Sequence, residues 1–325
     1  MSHAVVIGAG SWGAAIAAAL VRAGQDVTVL ARRTAQVEAL AAGRCLRLPD
    51  NAPIAPIKAT IDPAVLDQAS LIFVAVPVAA NAENFDLIAT RQQNKPASII
   101  VLCAKGITVT AGGDAALLPD LAKQHLPAHP LAVFSGPSFA DEVFSGLPAA
   151  LVAAATDSAV ANQVQTAFDG SNLRVYANDD PIGVALAGAM KNVIAIAAGC
   201  AVGAGYGDNA KAAILTRGLA EIARFAVLMG GRPETVFGLA GVGDLALTCA
   251  GPHSRNMAFG MALGRGDKPS PALAEGSRTV GHLARLAANQ NIDLPLTSAV
   301  DKLVNHGQDL HEIVAGLLAR RAGVE

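Results

Sequence analysis

The chain has 325 residues, a formal net charge of -2, 52% hydrophobic residues and 15% charged residues. Its length allows two domains with sizeable cores, and its apolar composition excludes a disordered polymer. The near-neutral balance excludes broad nucleic-acid binding, which needs a basic face, while leaving room for a small anion held by a few local cations. Aromatics make up only 4%, and Ala, Val, Leu, Ile and Gly dominate, the usage of helices packed closely on parallel strands.

In chain order, the first strand-like run is residues 3–7. It begins close to Met1, so no secretory leader is expected and a cytoplasmic protein is. The turn Gly8-Ala9-Gly10-Ser11-Trp12-Gly13 follows, then an Ala-rich helical stretch at 14–23 and a second strand at 27–31. Further strand-like runs lie at 71–76, 98–103, 131–135 and 150–154, separated by helical segments. Strands alternating with helices predict an α/β fold whose N-terminal part is a Rossmann-type doubly wound sheet.

The pattern changes after Asp179-Asp180-Pro181. Helical periodicity then runs to the end, with candidate helices at 183–201, 210–229, 279–289 and 298–304. Two domains are therefore expected: residues 1–180 binding a dinucleotide, and an all-helical substrate and catalytic domain at 181–325. The stretch 183–202 is apolar enough to resemble a membrane span, but Lys191 and Asn192 stand in its middle. A central lysine disfavours insertion by about 2.5–3.5 kcal/mol, so a buried helix of a protein with no membrane insertion is expected. Cys45, Cys103, Cys200 and Cys249 are scattered, the histidines form no metal motif, and no metal is expected.

The glycine turn carries the strongest local signal. Between a strand and a helix, Gly8 permits the tight turn, Gly10 admits a pyrophosphate, and Gly13 lets helix and strand pack closely. The helix start, at Ser11 and Trp12, adds oriented N–H groups and positive potential. At the end of the second strand, where an NAD-selective protein commonly has an acid, this chain has Arg32 and Arg33. Guanidinium groups there suit the 2′-phosphate of NADP(H), with NAD(H) use left open; two solvated loop arginines are the plainer alternative.

Other polar residues are ambiguous alone. Lys105 follows an apolar strand, at the edge where open α/β sheets bind ligands, but a surface lysine reads the same way. Gly136 and Ser138 read as a turn. Lys191 is more informative, because a lysine amid an apolar helix needs partners, whether for catalysis or for a structural ion pair. Asp244 and Thr248 stand beside constrained glycines. Ser254-Arg255-Asn256 offers donors suited to phosphate and hydroxyl groups, or is a helix cap. Glu275 alone reads as an acidic turn.

Taken together, these motifs resemble the NAD(P)-dependent glycerol-3-phosphate dehydrogenase family, especially its bacterial form. The resemblance runs from the Gly8–Gly13 turn through Ala104-Lys105-Gly106, Gly136-Pro137-Ser138-Phe139-Ala140 and Met190-Lys191-Asn192-Val193. It continues through Gly238-Leu239-Ala240-Gly241-Val242-Gly243-Asp244-Leu245, Thr248-Cys249, Ser254-Arg255-Asn256 and Ala274-Glu275-Gly276, in the family's order. Pro252 and Thr108 depart from commoner choices.

The resemblance implies reversible reduction of dihydroxyacetone phosphate to sn-glycerol 3-phosphate, a glycerophospholipid precursor. It implies that Lys191 is the catalytic acid and base, supported by Asp244 and Lys105. Gly136, Ser138, Thr248, Ser254, Arg255 and Asn256 then border a phosphorylated triose, with Arg255 facing its phosphate. Ser11, Trp12, Arg32, Ala140, Glu275, Lys105 and Arg255 map to cofactor contacts. Two other readings stay open: a 3-hydroxyacid-type dehydrogenase and a non-catalytic NADPH-binding sensor. An apolar helical domain is also compatible with a homodimer.

Overall fold

The computed structural model describes residues 3–93, 95–109, 113–270 and 274–319. Among these, the strands are β1 (His3–Ile7), β2 (Asp26–Leu30), β3 (Lys58–Thr60), β4 (Leu71–Val74), β5 (Ile99–Leu102), β6 (Ile107–Val109), β7 (Ala115–Leu117), β8 (Leu131–Ser135), β9 (Ala149–Ala154) and β10 (Leu173–Asn178). The helices that accompany them are α1 (Ser11–Arg22), α2 (Thr34–Ala41), α3 (Asn81–Arg91), α4 (Leu118–His125), α5 (Ala140–Ser145) and α6 (Ser158–Thr166). The later described helices are α7 (Pro181–Gly203), α8 (Gly207–Leu228), α9 (Pro233–Val236), α10 (Asp244–Cys249), α11 (Arg255–Gly264), α12 (Glu275–Asn289), α13 (Pro295–His306) and α14 (Leu310–Leu318).

The chain forms two compact units. The first holds residues 1–105 and 117–185; the second holds 106–116 and 186–325.

In the first unit, eight strands form one sheet in the order β10-β9-β8-β5-β4-β1-β2-β3. Its central strands β4 and β5 are buried throughout, as expected for apolar runs covered on both faces. The Rossmann-type expectation holds, with one refinement. β8 and β9 pair antiparallel while the other pairs are parallel, so the sheet is mixed. The runs forming β3 and β10 escaped the sequence pattern. β3 is only three residues long, and the alternation of β10 reflects a strand with one exposed face.

The few aromatic residues concentrate in this core. Phe134 stacks on Phe168 at 5.3 Å between ring centroids, and Phe73 meets both edge-on at 5.9 and 5.7 Å. Such contacts add about 0.5–1.5 kcal/mol each beyond area burial. α1 is buried from Gly13 to Leu20. Its small alanines let it lie close to the sheet, and its last residue, Arg22, donates to the Val143 carbonyl at the end of α5 (3.1 Å).

The second unit is helical, as expected, except for residues 106–116. That excursion carries β6 and contributes to a two-stranded sheet with β7. Ile107 is buried, and β6 packs against α12, which draws this segment away from its sequence neighbours. α7 is the central element. Its mean hydropathy and length would suit a membrane span, but 89% of its most apolar 18-residue stretch is buried within the protein. The Asp180 carboxylate accepts the Gly183 N–H (2.8 Å) at its start, a cap of the kind worth about 1 kcal/mol.

α7 and α11 pack unusually closely. A Cβ on Gly260 would strike the Ile196 carbonyl, and one on Gly264 would strike the Cys200 carbonyl. Asn192 meets Asn256 one turn earlier on both helices. The matched four-residue steps mean that the two helices run in the same direction with a locked register, as small residues at a crossing allow.

Candidate active site

The first unit presents a backbone-built anion cradle. Gly8 has φ +109°, and a Cβ there would lie 2.7 Å from the Ala75 carbonyl oxygen. A Cβ on Gly13 would overlap the Gly8 carbonyl, so helix and turn meet only through glycine. Gly10, between them, has open space where a side chain would be. It is also the N-cap of α1, without a side-chain cap, and the first turn carries no acid. An uncapped twelve-residue helix behind an open glycine fits a dinucleotide pyrophosphate.

Two neighbours support that fit. The Trp12 ring stacks over Phe134 (6.4 Å), and its Nε1 is buried without an acceptor among the described residues. Gln36, on α2, donates through Nε2 to the Ala9 carbonyl (3.3 Å) and fixes the turn from outside it. Arg32 and Arg33 are both exposed at the carboxyl end of β2, Arg33 as the N-cap of α2.

At the ends of β5 and β8, three expected residues converge. Lys105 Nζ donates to the Gly136 carbonyl (3.0 Å), and Ser138 Oγ donates to the same oxygen (3.1 Å). Ala140 opens α5 just beyond.

The second unit holds the buried polar cluster. Lys191 Nζ lies 2.5 Å from Asp244 Oδ1 and donates to Thr248 Oγ1 (2.9 Å). Thr248 Oγ1 in turn donates to the Asp244 carbonyl (2.6 Å), the four-residue back-bond of α10. The three residues are 8%, 1% and 4% exposed. A charge pair this deep holds together only because each member has partners, and removing one commonly costs about 3–5 kcal/mol. The adjacent Cys249 thiol is pushed up to about 12 by burial, against the pull of the Lys191 and Lys211 charges. It therefore stays protonated and is no nucleophile.

Ser254, Arg255 and Asn256 open α11. Ser254 Oγ caps that helix by accepting the Met257 N–H (3.3 Å), so its hydroxyl serves the backbone. Arg255 is exposed at the first helical position and makes no ion pair among the described residues. Asn256 is buried, and its Oδ1 accepts the N–H of Gly276, the residue after Glu275 at the start of α12. Sequence reasoning passed over Asn192, whose Oδ1 accepts from Asn256 Nδ2 (2.9 Å). Its signal was a second polar residue beside Lys191 in an otherwise apolar helix.

Comparison with known proteins identifies the family. Residues 3–161 match the NAD-dependent glycerol-3-phosphate dehydrogenase N-terminus family, and residues 180–315 match the corresponding C-terminus family. A glycerol-3-phosphate dehydrogenase [NAD(P)+] of Mesorhizobium japonicum is 42% identical, covering 97% of this chain and 91% of its own length. The crystal structure of glycerol-3-phosphate dehydrogenase from Coxiella burnetii superposes with a TM-score of 0.89 at 37% identity, covering 98% of this chain and 99% of that one. A ketopantoate reductase structure from Ralstonia eutropha reaches only 0.59 at 19% identity, over 94% and 97% of the two chains, and shares the fold alone. The chain belongs to the NAD(P)-dependent glycerol-3-phosphate dehydrogenase family.

Proposed function

We propose that this chain reversibly reduces dihydroxyacetone phosphate to sn-glycerol 3-phosphate with NAD(P)H, supplying a glycerophospholipid precursor. The observation that carries the proposal is the Lys191 amine, buried on Asp244 and Thr248. When bound, the cofactor supplies the hydride for the C2 carbonyl. Gly8, Gly10, Ser11, Trp12 and Gly13 would hold its pyrophosphate side, and Arg32 and Arg33 its adenosine side.

In this reading Lys191 gives a proton to the oxygen on C2 as that oxygen gains charge, and takes it back in the reverse direction. Asp244 and Thr248 aim the amine. Arg255 binds the substrate phosphate and so orients the carbonyl, turning remote binding energy into rate. Lys105, Gly136, Ser138 and Asn256 border the substrate, and Ala140 and Glu275 border the cofactor. A non-catalytic sensor needs no amine–carboxylate pair for turnover, and a 3-hydroxyacid substrate has no phosphate for Arg255. Four buried free thiols suit a cytoplasmic setting. Exposed Val227, Leu228 and Phe237 on the helical unit are candidates for a homodimer contact, which sedimentation would test.

The decisive assay follows NADPH and NADH oxidation with dihydroxyacetone phosphate, with 3-oxo acids alongside. Turnover is expected with the triose phosphate alone, and preference for a 3-oxo acid would overturn the reading. Arg255→Ala sharpens it. That variant should lower kcat/KM for dihydroxyacetone phosphate at least about tenfold, corresponding to roughly 1.4 kcal/mol. The loss for unphosphorylated dihydroxyacetone should be several-fold smaller, after correction for any change in NADPH affinity. Equal losses would remove Arg255 from the phosphate.

A further inference from the structure

Asn192 and Lys191 are neighbours on α7, but they serve different parts of the helical unit. Consecutive helical residues point about 100° apart, which follows from 3.6 residues per turn. Lys191 reaches α10, whereas Asn192 reaches α11 through Asn256. The link continues. Asn256 Oδ1 accepts the Gly276 N–H (2.9 Å), at the second position of α12.

The polarity of this relay is fixed by chemistry. A backbone N–H can only donate, so Asn256 must turn its oxygen to Gly276 and its NH2 to Asn192. Asn192 must then present its own oxygen. All three residues are buried, with Asn192 3% and Asn256 9% exposed. α12 has no side-chain cap of its own, because its N-cap is Ala274, so Asn256 satisfies one of its first-turn donors from another helix. The contact at the far end is equally tight. A Cβ on Gly276 would lie 2.7 Å from the Asn192 carbonyl oxygen.

We infer that Asn192 is a positioning residue which, through Asn256, fixes the first turns of α11 and α12 against the helix that carries Lys191. Arg255 precedes Asn256 and Glu275 precedes Gly276, so the relay sets where both side chains begin. Its consequence for substrate rests on the proposed function, in which Arg255 holds the phosphate. Its consequence for structure does not.

A double-mutant cycle tests both parts. Asn192→Ala, Asn256→Ala and the double variant are compared by amide hydrogen exchange of peptides 254–260 and 275–283, and by steady-state kinetics with dihydroxyacetone phosphate. Asn192→Ala should speed exchange in both peptides and raise KM about tenfold, with kcat changed less than about threefold. In the Asn256→Ala background it should add little, because the relay is already cut. Additive losses would mean that Asn192 acts on its own, and unchanged exchange in either peptide would overturn the inference. So would a lowered melting temperature with KM unchanged. If Asn192→Ala does not fold, Asn192→Ser leaves a smaller cavity and is read in the same way. A wild-type protein inactive on dihydroxyacetone phosphate would remove the functional reading while leaving the exchange result to decide the relay.

Discussion

The two units build their polar sites from different materials. In the sheet unit, the cradle at Gly8, Gly10 and Gly13 is backbone: a helix start without a side-chain cap, and glycines whose missing side chains open it. In the helical unit, Lys191, Asp244, Thr248, Asn192 and Asn256 are side chains, each nine-tenths or more buried, and each holding another. A backbone cradle offers every anion the same N–H groups, and its demands on sequence are mostly that certain side chains be absent. A buried side-chain network demands particular functional groups at particular depths. Damage to the first should weaken cofactor binding, whereas damage to the Lys191, Asp244 and Thr248 part of the second should weaken chemistry.

The largest effect that would break this division is expected at Lys191. Lys191→Ala should stay folded and bind NADPH, yet lose kcat about 10²–10⁴-fold, the usual range for general acid–base assistance. Fluorescence titration with NADPH beside steady-state turnover reads both. Near-normal turnover with an unchanged pH profile would make the buried pair structural, and the helical unit would lose its claim to the chemistry.

A smaller effect sharpens the other side. Arg32 and Arg33 stand exposed at the end of β2, where the sheet unit offers side-chain charge instead of backbone. The Arg32→Ala/Arg33→Ala double variant should weaken NADPH more than NADH, by up to the roughly 1.5–3 kcal/mol of a charge-assisted contact. Equal losses for the two cofactors would reject a role at the 2′-phosphate.

The same contrast explains what was legible in the sequence. The glycine turn is a local pattern, so its place between β1 and α1 could be read directly. Lys191 stood out because a charge in an apolar helix needs an explanation. Residue pattern alone did not pair it with Asp244 and Thr248, which lie more than fifty residues away; only the family resemblance named Asp244 as its support. Ser254 suited both a ligand and a cap, and its hydroxyl caps α11. Asn192 and the antiparallel β8–β9 pair depend on tertiary neighbours that no periodicity reports. Nor does hydropathy show why residues 106–116 join the helical unit, because three residues of β6 carry too little pattern.

The smallest effect expected is one of stability, and it asks whether buried charge in the helical unit is confined to the Lys191 cluster. Glu221, on α8, is 2% exposed and accepts from the N–H groups of Leu296 and Thr297 (2.8 and 2.9 Å) and from Thr297 Oγ1 (2.6 Å). It thereby caps the start of α13. Burial raises its pKa above the ordinary carboxylate value, and those three bonds together with the Arg224 charge only partly offset the rise. Below the ordinary value, about 4.3, both the folded and the unfolded chain hold the proton and Glu221 contributes no pH dependence. As pH climbs from there to the raised folded value, the unfolded chain releases the proton first, so Glu221 makes the protein less stable through that window and constantly so above it. One proton limits the slope to about 1.4 kcal/mol per pH unit. Urea unfolding at several pH values should therefore show a shallower fall for Glu221→Gln than for the wild type, because glutamine does not titrate. Parallel pH profiles would mean that the carboxylate titrates alike in both states, leaving Lys191 and Asp244 as the helical unit's distinctive buried charge.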